Sequence, residues 1–370
     1  REKAPENSFR DMFIYNIDGK MEVNDKKSKI GHLASGIPGS VDGMVKIHEK
    51  FSNLEWDKLL DRSIKVAREG FEVTEKQAKG LNNVKESLLK ANDHEIPFIR
   101  ESEWKQGNLL IQENLAQTLE EIKESKRDGF YKGKVAELII NEMISGGGII
   151  TQSDLDNYSS VWRNPTVGYF KNHKIISMGP PSSGGIALVQ LLNGAEQLET
   201  KSYNHNSAEY INTISEIESR VYADRATHLG DPDFFNVPQK SLLDKNYLTN
   251  RFSEIKSEIK TPSSKVKEGS FVGYESDETT HFSIVDKYGN AVSVTTTING
   301  GYGSKVVVEG AGFLLNNEMD DFSVKPGYPN MFGLVGGEAN AIEPNKRMLS
   351  SMTPTIIEKN DKLLMVLGTP

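Results

Sequence analysis

The sequence predicts a mixed α/β fold, on three observations. Apolar residues recur at helical spacing through the first two-thirds of the chain. Runs of β-branched residues separated by turn signals occupy the last third. The 370 residues are 36% hydrophobic and 26% charged, enough for a sizeable core in one layered unit or several domains. No internal repeat is present.

Residues 1–39 read as irregular, with a turn at Asp18-Gly19 and a glycine-containing entry into a helix near Ser40. Leu54, Leu59, Leu60, Ile64 and Ala67 mark an amphipathic helix over 53–69 that stops near Gly70. Further helices are predicted over 74–91, 111–127, 133–145, 186–199 and 207–228. Thr151-Gln152-Ser153-Asp154 has the form of a helix N-cap with an acidic first turn. Strands are predicted near 166–179, 280–286, 291–299, 312–316 and 353–367. The polar stretch 255–278, with Thr261-Pro262-Ser263-Ser264 and Glu275-Ser276-Asp277-Glu278, has no apolar period. It reads as a mobile linker, and a plain surface loop fits it equally well.

A net charge of −8 argues against a nucleic-acid partner. The lysines alternate with Glu and Asp along the predicted helices, as solvated faces do. With no cysteine there are no disulfides and no thiolate sites, which leaves the compartment open. No apolar run reaches the length of about 18 residues that a membrane span requires. The chain opens on Arg1 rather than Met, so a preceding signal peptide is compatible with it.

Chemistry concentrates after residue 278. Residues 280–286 and 291–299 form a hairpin through Lys287-Tyr288-Gly289-Asn290, which sets Thr279 at the mouth of one strand and Thr297 and Asn299 at the end of the other. A threonine hydroxyl is a weak nucleophile without a base. Breaking the Glu278–Thr279 bond would supply one, because an α-amine titrates near neutrality and would sit on the nucleophile's own residue. Taken alone, the Thr279-Thr280 pair also fits an ordinary strand start.

The blocks that follow extend the pattern: Leu315-Asn316-Asn317-Glu318-Met319-Asp320-Asp321-Phe322, Gly333-Leu334-Val335-Gly336-Gly337 and Ser350-Ser351-Met352-Thr353-Pro354-Thr355. With Thr279-Thr280-His281 and Thr295-x-Thr297-x-Asn299, in this order, the sequence resembles the γ-glutamyltranspeptidases, an N-terminal-nucleophile hydrolase family. The resemblance runs through Arg1-Glu2-x-Ala4-Pro5, Ala34-Ser35-Gly36-x-Pro38-Gly39, Pro180-Pro181-Ser182-Ser183-Gly184-Gly185 and Tyr222-Ala223-Asp224-Arg225.

That resemblance implies a four-layer αββα sandwich and a precursor that cuts itself before Thr279. Residues 1–278 would belong to a large subunit and 279–370 to a small one, both contributing to one αββα domain. Thr279 is then the nucleophile, and Thr297 bonds its hydroxyl. Asn299, Glu318 and Asp321 hold a substrate α-ammonium, while Arg1 and Ser350, with Ser351 beside it, clamp the α-carboxylate. Carboxylates around an ammonium and a planar guanidinium on a carboxylate suit a zwitterion. The implied reaction transfers the γ-glutamyl group of glutathione and related compounds to water or an acceptor amino acid, in the periplasm or outside the cell. A cephalosporin acylase, a poly-γ-glutamate depolymerase and an unprocessed γ-glutamyl-binding protein are the alternatives.

Without the other blocks, Glu318 and Asp321 would fit a solvated acidic turn, Arg1 a frayed end and Ser350-Ser351 a turn cap. His281 reads as a strand residue, since no Gly-x-Ser-x-Gly elbow accompanies it. No His-Glu-x-x-His helix or phosphate-binding glycine loop appears, so neither metal nor cofactor is expected. Two departures stand out. Phe332 lies on a predicted lid loop over 326–337 where some bacterial relatives carry tyrosine, so the lid is expected to close less firmly. The family's oxyanion-hole glycines would fall after Gly368-Thr369-Pro370.

Overall fold

The computed structural model describes residues 1–17, 20–262, 265–266 and 280–369. The predicted turn at Asp18-Gly19, the Glu278–Thr279 bond and Thr279 itself lie outside the described residues.

The chain opens with antiparallel strands β1 (Ile14–Ile17) and β2 (Lys20–Val23), in a stretch expected to be irregular. Four residues each are too few for a period-2 pattern to stand out. The helices then run α1 (Asp25–Lys29), α2 (Ser40–Phe51), α3 (Trp56–Glu69), α4 (Glu75–Ala91), α5 (Glu113–Ser125), α6 (Asp128–Tyr131), α7 (Gly133–Gly146) and α8 (Gln152–Asn157). Two-residue strands β3 (Phe71–Glu72) and β4 (Leu109–Leu110) pair across α4. Capping boxes start α4 (Thr74 with Gln77) and α8 (Thr151 with Asp154), each satisfying N–H groups that the helix leaves open.

The predicted strand over 166–179 is instead a hairpin, β5 (Thr166–Phe170) and β6 (His173–Ser177), turned at Lys171 in the left-handed region. Helices α9 (Gly184–Gln197), α10 (Ala208–His228), α11 (Gln239–Leu242) and α12 (Lys245–Phe252) follow. Next come hairpin strands β7 (Thr280–Val285) and β8 (Ala291–Thr296), with Thr280 opposite Thr296. The last predicted strand also splits, into β9 (Thr355–Lys359) and β10 (Lys362–Leu367), with Asn360 and Asp361 both at positive φ.

No strand forms over 312–316. The chain there doubles back instead, with Val308 N–H on the Phe313 carbonyl and a single bridge between Val307 and Leu314. Gly310 and Gly312 both take positive φ, and a Cβ on Gly312 would lie 2.7 Å from the Leu115 nitrogen. Nor is the start of the proposed linker loose. Ile255 is buried, the Glu216 carboxylate accepts from the Thr261 N–H at 2.8 Å, and Asn212 bonds the carbonyls of Lys256, Ser257 and Ile259.

Two compact units result, each drawn from three segments. The first takes Arg1–Phe9, Asn24–Val161 and Ile298–Met319; the second takes Arg10–Val23, Trp162–Thr297 and Asp320–Pro370. The first unit's core gathers Ile139, Met143 and Leu155 with Val306, Val308 and Leu315. Burying an Ile or Leu side chain contributes about 1.5–3 kcal/mol. Tyr131 stacks on Tyr158 at 5.7 Å, and its hydroxyl donates to the Pro38 carbonyl at 2.8 Å. Burial pushes the Tyr131 phenol up, so it stays a neutral donor.

In the second unit, a four-stranded antiparallel sheet runs β10-β9-β6-β5. Helix α9 packs on β5 at Gly168, where an added Cβ would meet Val189 at 2.5 Å. Helix α10 crosses α9 at Gly194, against Ile217. The β7–β8 hairpin is tied to the far strands through Ser293. Its Oγ donates to the Leu367 carbonyl and accepts from the Thr355 N–H. Helices, sheet and hairpin thus follow one another.

Candidate active site

In the first unit, the site residues rest on two asparagines. Asn316 exchanges two bonds with the backbone of Gly36 at 2.9 and 2.8 Å, and its Oδ1 also accepts from the Glu318 N–H at 3.0 Å. Asn317 accepts from the Gly300 N–H at 2.8 Å and donates to the Lys29 carbonyl at 3.0 Å. Asn299 donates to the Asn317 carbonyl at 3.0 Å from the left-handed region, which asparagine tolerates. Buried amides lose stability wherever a bond is missing, so this net fixes the backbone under Glu318. In the sequence the asparagines of the acidic block carry no signal of a role. Their role is to position the acid beside them.

Arg1 and Glu318 form an ion pair in which the side chains are 2% and 0% exposed. The main chain of Arg1 is held as well, since Tyr158 Oη donates to its carbonyl at 2.9 Å. Arg1 is therefore no frayed end, and Glu318 no solvated turn. Removing one member of such a buried pair costs about 3–5 kcal/mol.

In the second unit, Ser350 is bound on both sides by the Pro180–Gly185 block. Its N–H donates to the Pro181 carbonyl at 2.8 Å, and its own carbonyl accepts from the Ser183 N–H and Oγ at 2.9 Å each. Ser350 Oγ accepts from the Met352 N–H at 3.1 Å. Arg225, 6% exposed on α10, donates to Ser183 Oγ at 3.1 Å and to Ser351 Oγ at 3.3 Å. Burial lowers the Arg225 pKa, while Tyr222 and Asp321 oppose that shift. Asp321 thus shares an electrostatic neighbourhood with Arg225, and its carbonyl accepts from Asn340 at 2.7 Å. Arg225 and Ser183 lie 42 residues apart, and no spacing in the sequence signals that they meet.

The loop at 326–337 folds into a small turn. Gly327 N–H bonds the Gly336 carbonyl, Asn330 N–H the Leu334 carbonyl, and Pro329 bridges Val335. Asp320 anchors it by accepting from the Met331 N–H at 2.8 Å, a role that no sequence pattern signals. Phe332 sits half-buried at the tip. Thr297 directly follows β8 and is half-buried. His281 bonds Thr295 and Ser283 across and along the hairpin, as a strand residue would.

The first unit thus holds a buried cation paired with a carboxylate, and the second holds adjacent serine hydroxyls, one of them bonded to a buried guanidinium. The γ-glutamyltranspeptidase family model matches residues 1–370. Among curated relatives, the glutathione hydrolase proenzyme of Escherichia coli K12 is 45% identical over 372 residues, covering 100% of this chain and 64% of the relative. The chain thus spans a little under two-thirds of that relative's length. The crystal structure of Helicobacter pylori γ-glutamyltranspeptidase matches with a TM-score of 0.69 at 39% identity, over 73% of this chain and 77% of that one. Cephalosporin acylase from Bacillus halodurans, 22% identical, matches with a TM-score of 0.78 over 99% of this chain and 64% of that one. The fold is the N-terminal-nucleophile hydrolase fold expected from the sequence. No helix among the described residues is long and apolar enough to cross a membrane.

Proposed function

This chain belongs to the γ-glutamyltranspeptidase family, and on that premise we propose that the whole protein is a self-processing γ-glutamyl transferase and hydrolase of the periplasm or exterior. The precursor cuts itself at Glu278–Thr279 into two subunits that stay together. The new α-amine takes the proton from the Thr279 hydroxyl, which attacks the γ-carbonyl of glutathione or a related donor. The amine then returns the proton to the leaving nitrogen, leaving a γ-glutamyl ester on Thr279. Water or an acceptor amino acid attacks that ester, and the hydroxyl is regenerated. Thr297 bonds the nucleophile's hydroxyl.

The observation that carries this reading is the buried Arg1–Glu318 pair. A cation and a carboxylate that neutralise each other can each be drawn to one end of an amino acid. Asn299, Glu318 and Asp321 take the ammonium; Arg1, Ser350 and Ser351 take the carboxylate. Holding the donor by its α-carbon end orients the distant γ-carbonyl, so binding energy is used for positioning.

The test is the intact mass of the full-length protein at neutral pH beside Thr279→Ala, followed by donor turnover. Two fragments with Thr279 as a new N-terminus, absent in the variant, are expected. A single uncut chain in both would reduce the protein to a binding role. Preference for glutaryl over γ-glutamyl p-nitroanilide would point to an acylase and remove the zwitterion reading.

A further inference from the structure

Ser350 and Ser351 both accept a hydrogen bond from inside the second unit: Ser350 Oγ from the Met352 N–H, and Ser351 Oγ from the Arg225 guanidinium. A hydroxyl has one proton and two acceptor sites. With one acceptor site filled from within, each serine keeps its own proton to offer outward. A pair of O–H donors on adjacent residues suits a carboxylate.

A neutral donor would orient Ser351 equally well, so the presence of a cation needs its own reason. Burying a guanidinium is costly unless it is paired. Among the described residues, no carboxylate lies within ion-pair distance of Arg225. Its guanidinium donates to the hydroxyls of Ser183 and Ser351. The negative charge of Asp321 acts on it from farther away. A buried cation one hydroxyl away from a carboxylate clamp strengthens that clamp, because charges interact strongly where water is excluded.

We propose that Arg225 is a positioning residue for the substrate's α-carboxylate. It aligns Ser351 directly, aligns Ser350 through Ser183, and supplies positive potential behind both hydroxyls. This rests on the γ-glutamyl reading above. Arg225 touches no reacting atom, and its effect is on the carboxylate end of the donor alone.

The experiment compares two donors on the full-length, processed enzyme: γ-glutamyl p-nitroanilide, and 4-aminobutanoyl p-nitroanilide, which lacks the carboxylate. Arg225→Gln is expected to raise KM for the first about tenfold or more with a smaller change in kcat, and to change the second less than about twofold. Arg225→Lys, which keeps the charge but not the two-pronged geometry, is expected to restore part of that loss. Ser183→Ala leaves the cation in place and is expected to shift the donor ratio about threefold. It carries the test if Arg225→Gln does not fold or process. Parallel loss on both donors, or no change in the ratio with either variant, overturns the proposal while leaving the γ-glutamyl reading intact. A wild-type enzyme that turns over neither γ-glutamyl donor nor glutathione overturns both.

Discussion

Tyr158 Oη donates to the main-chain carbonyl of Arg1 at 2.9 Å, so a residue on the far side of α8 fixes where the guanidinium of Arg1 begins. The same tyrosine fills the space beside Gly39, where a Cβ would fall 2.0 Å from its hydroxyl. Tyr158→Phe keeps the ring stack on Tyr131 and removes the hydrogen bond to Arg1. A bond of this kind is worth about 0.5–1.5 kcal/mol. KM for γ-glutamyl p-nitroanilide is expected to rise several-fold with kcat little changed, as measured by steady-state kinetics.

Asn317→Ala addresses the net under the acidic block. It strips partners from the Gly300 N–H and the Lys29 carbonyl. Leaving a buried polar group such as the Gly300 N–H unsatisfied costs about 1–3 kcal/mol. Urea unfolding is expected to show a loss in that range or above it. A change within about 0.5 kcal/mol would mean that water replaces the amide and that the net is not what fixes Glu318.

Acid sensitivity is expected at Glu142 on α7. Burial alone would raise its pKa. The bonds from His32 at 2.7 Å and from the Glu309 N–H at 3.0 Å outweigh burial and hold it below the ordinary value of 4.5, with the charges of His32 and His94 adding to that. A depressed carboxyl stabilises the fold fully above its unfolded pKa, and that contribution disappears as pH falls through the lower folded value. Stability measured from pH 7 downward should therefore drop below about 4.5, and Glu142→Gln should flatten that drop. Curves of equal slope for the two proteins would remove Glu142 from the account.

Gly168 on β5 is the point where the sheet meets α9. Gly168→Ala places a methyl against both γ-methyls of Val189, and overpacking of this kind costs about 1–3 kcal/mol. Adding Val189→Ala should recover part of the loss, so the double-mutant cycle should give a favourable coupling. Strict additivity would show that the helix shifts as a body instead.

The helices were legible because caps and apolar period agree: Thr74 and Gln77 mark the start of α4, and Gly70 follows the end of α3. The hairpins over 166–177 and 355–367 were read as single strands because Lys171, Asn360 and Asp361 turn without glycine or proline. A lysine at positive φ leaves no trace in hydropathy. At the site, Arg1, Glu318, Ser350 and Ser351 were legible only as family positions. Three of their supports, Tyr158, Ser183 and Arg225, are brought in from 126 to 167 residues away, a separation no local pattern encodes.

Both units borrow from either side of the Glu278–Thr279 bond. Val306, Val308 and Leu315 lie in the first unit's core beside Ile139 and Leu155, while β9 is hydrogen-bonded into the second unit's sheet between β6 and β10. Severing the backbone at that bond would leave two polypeptides wound through each other's interiors, with no seam along which to part. Neither would be a domain in its own right, and a gene split there would encode halves that must meet before either core can close.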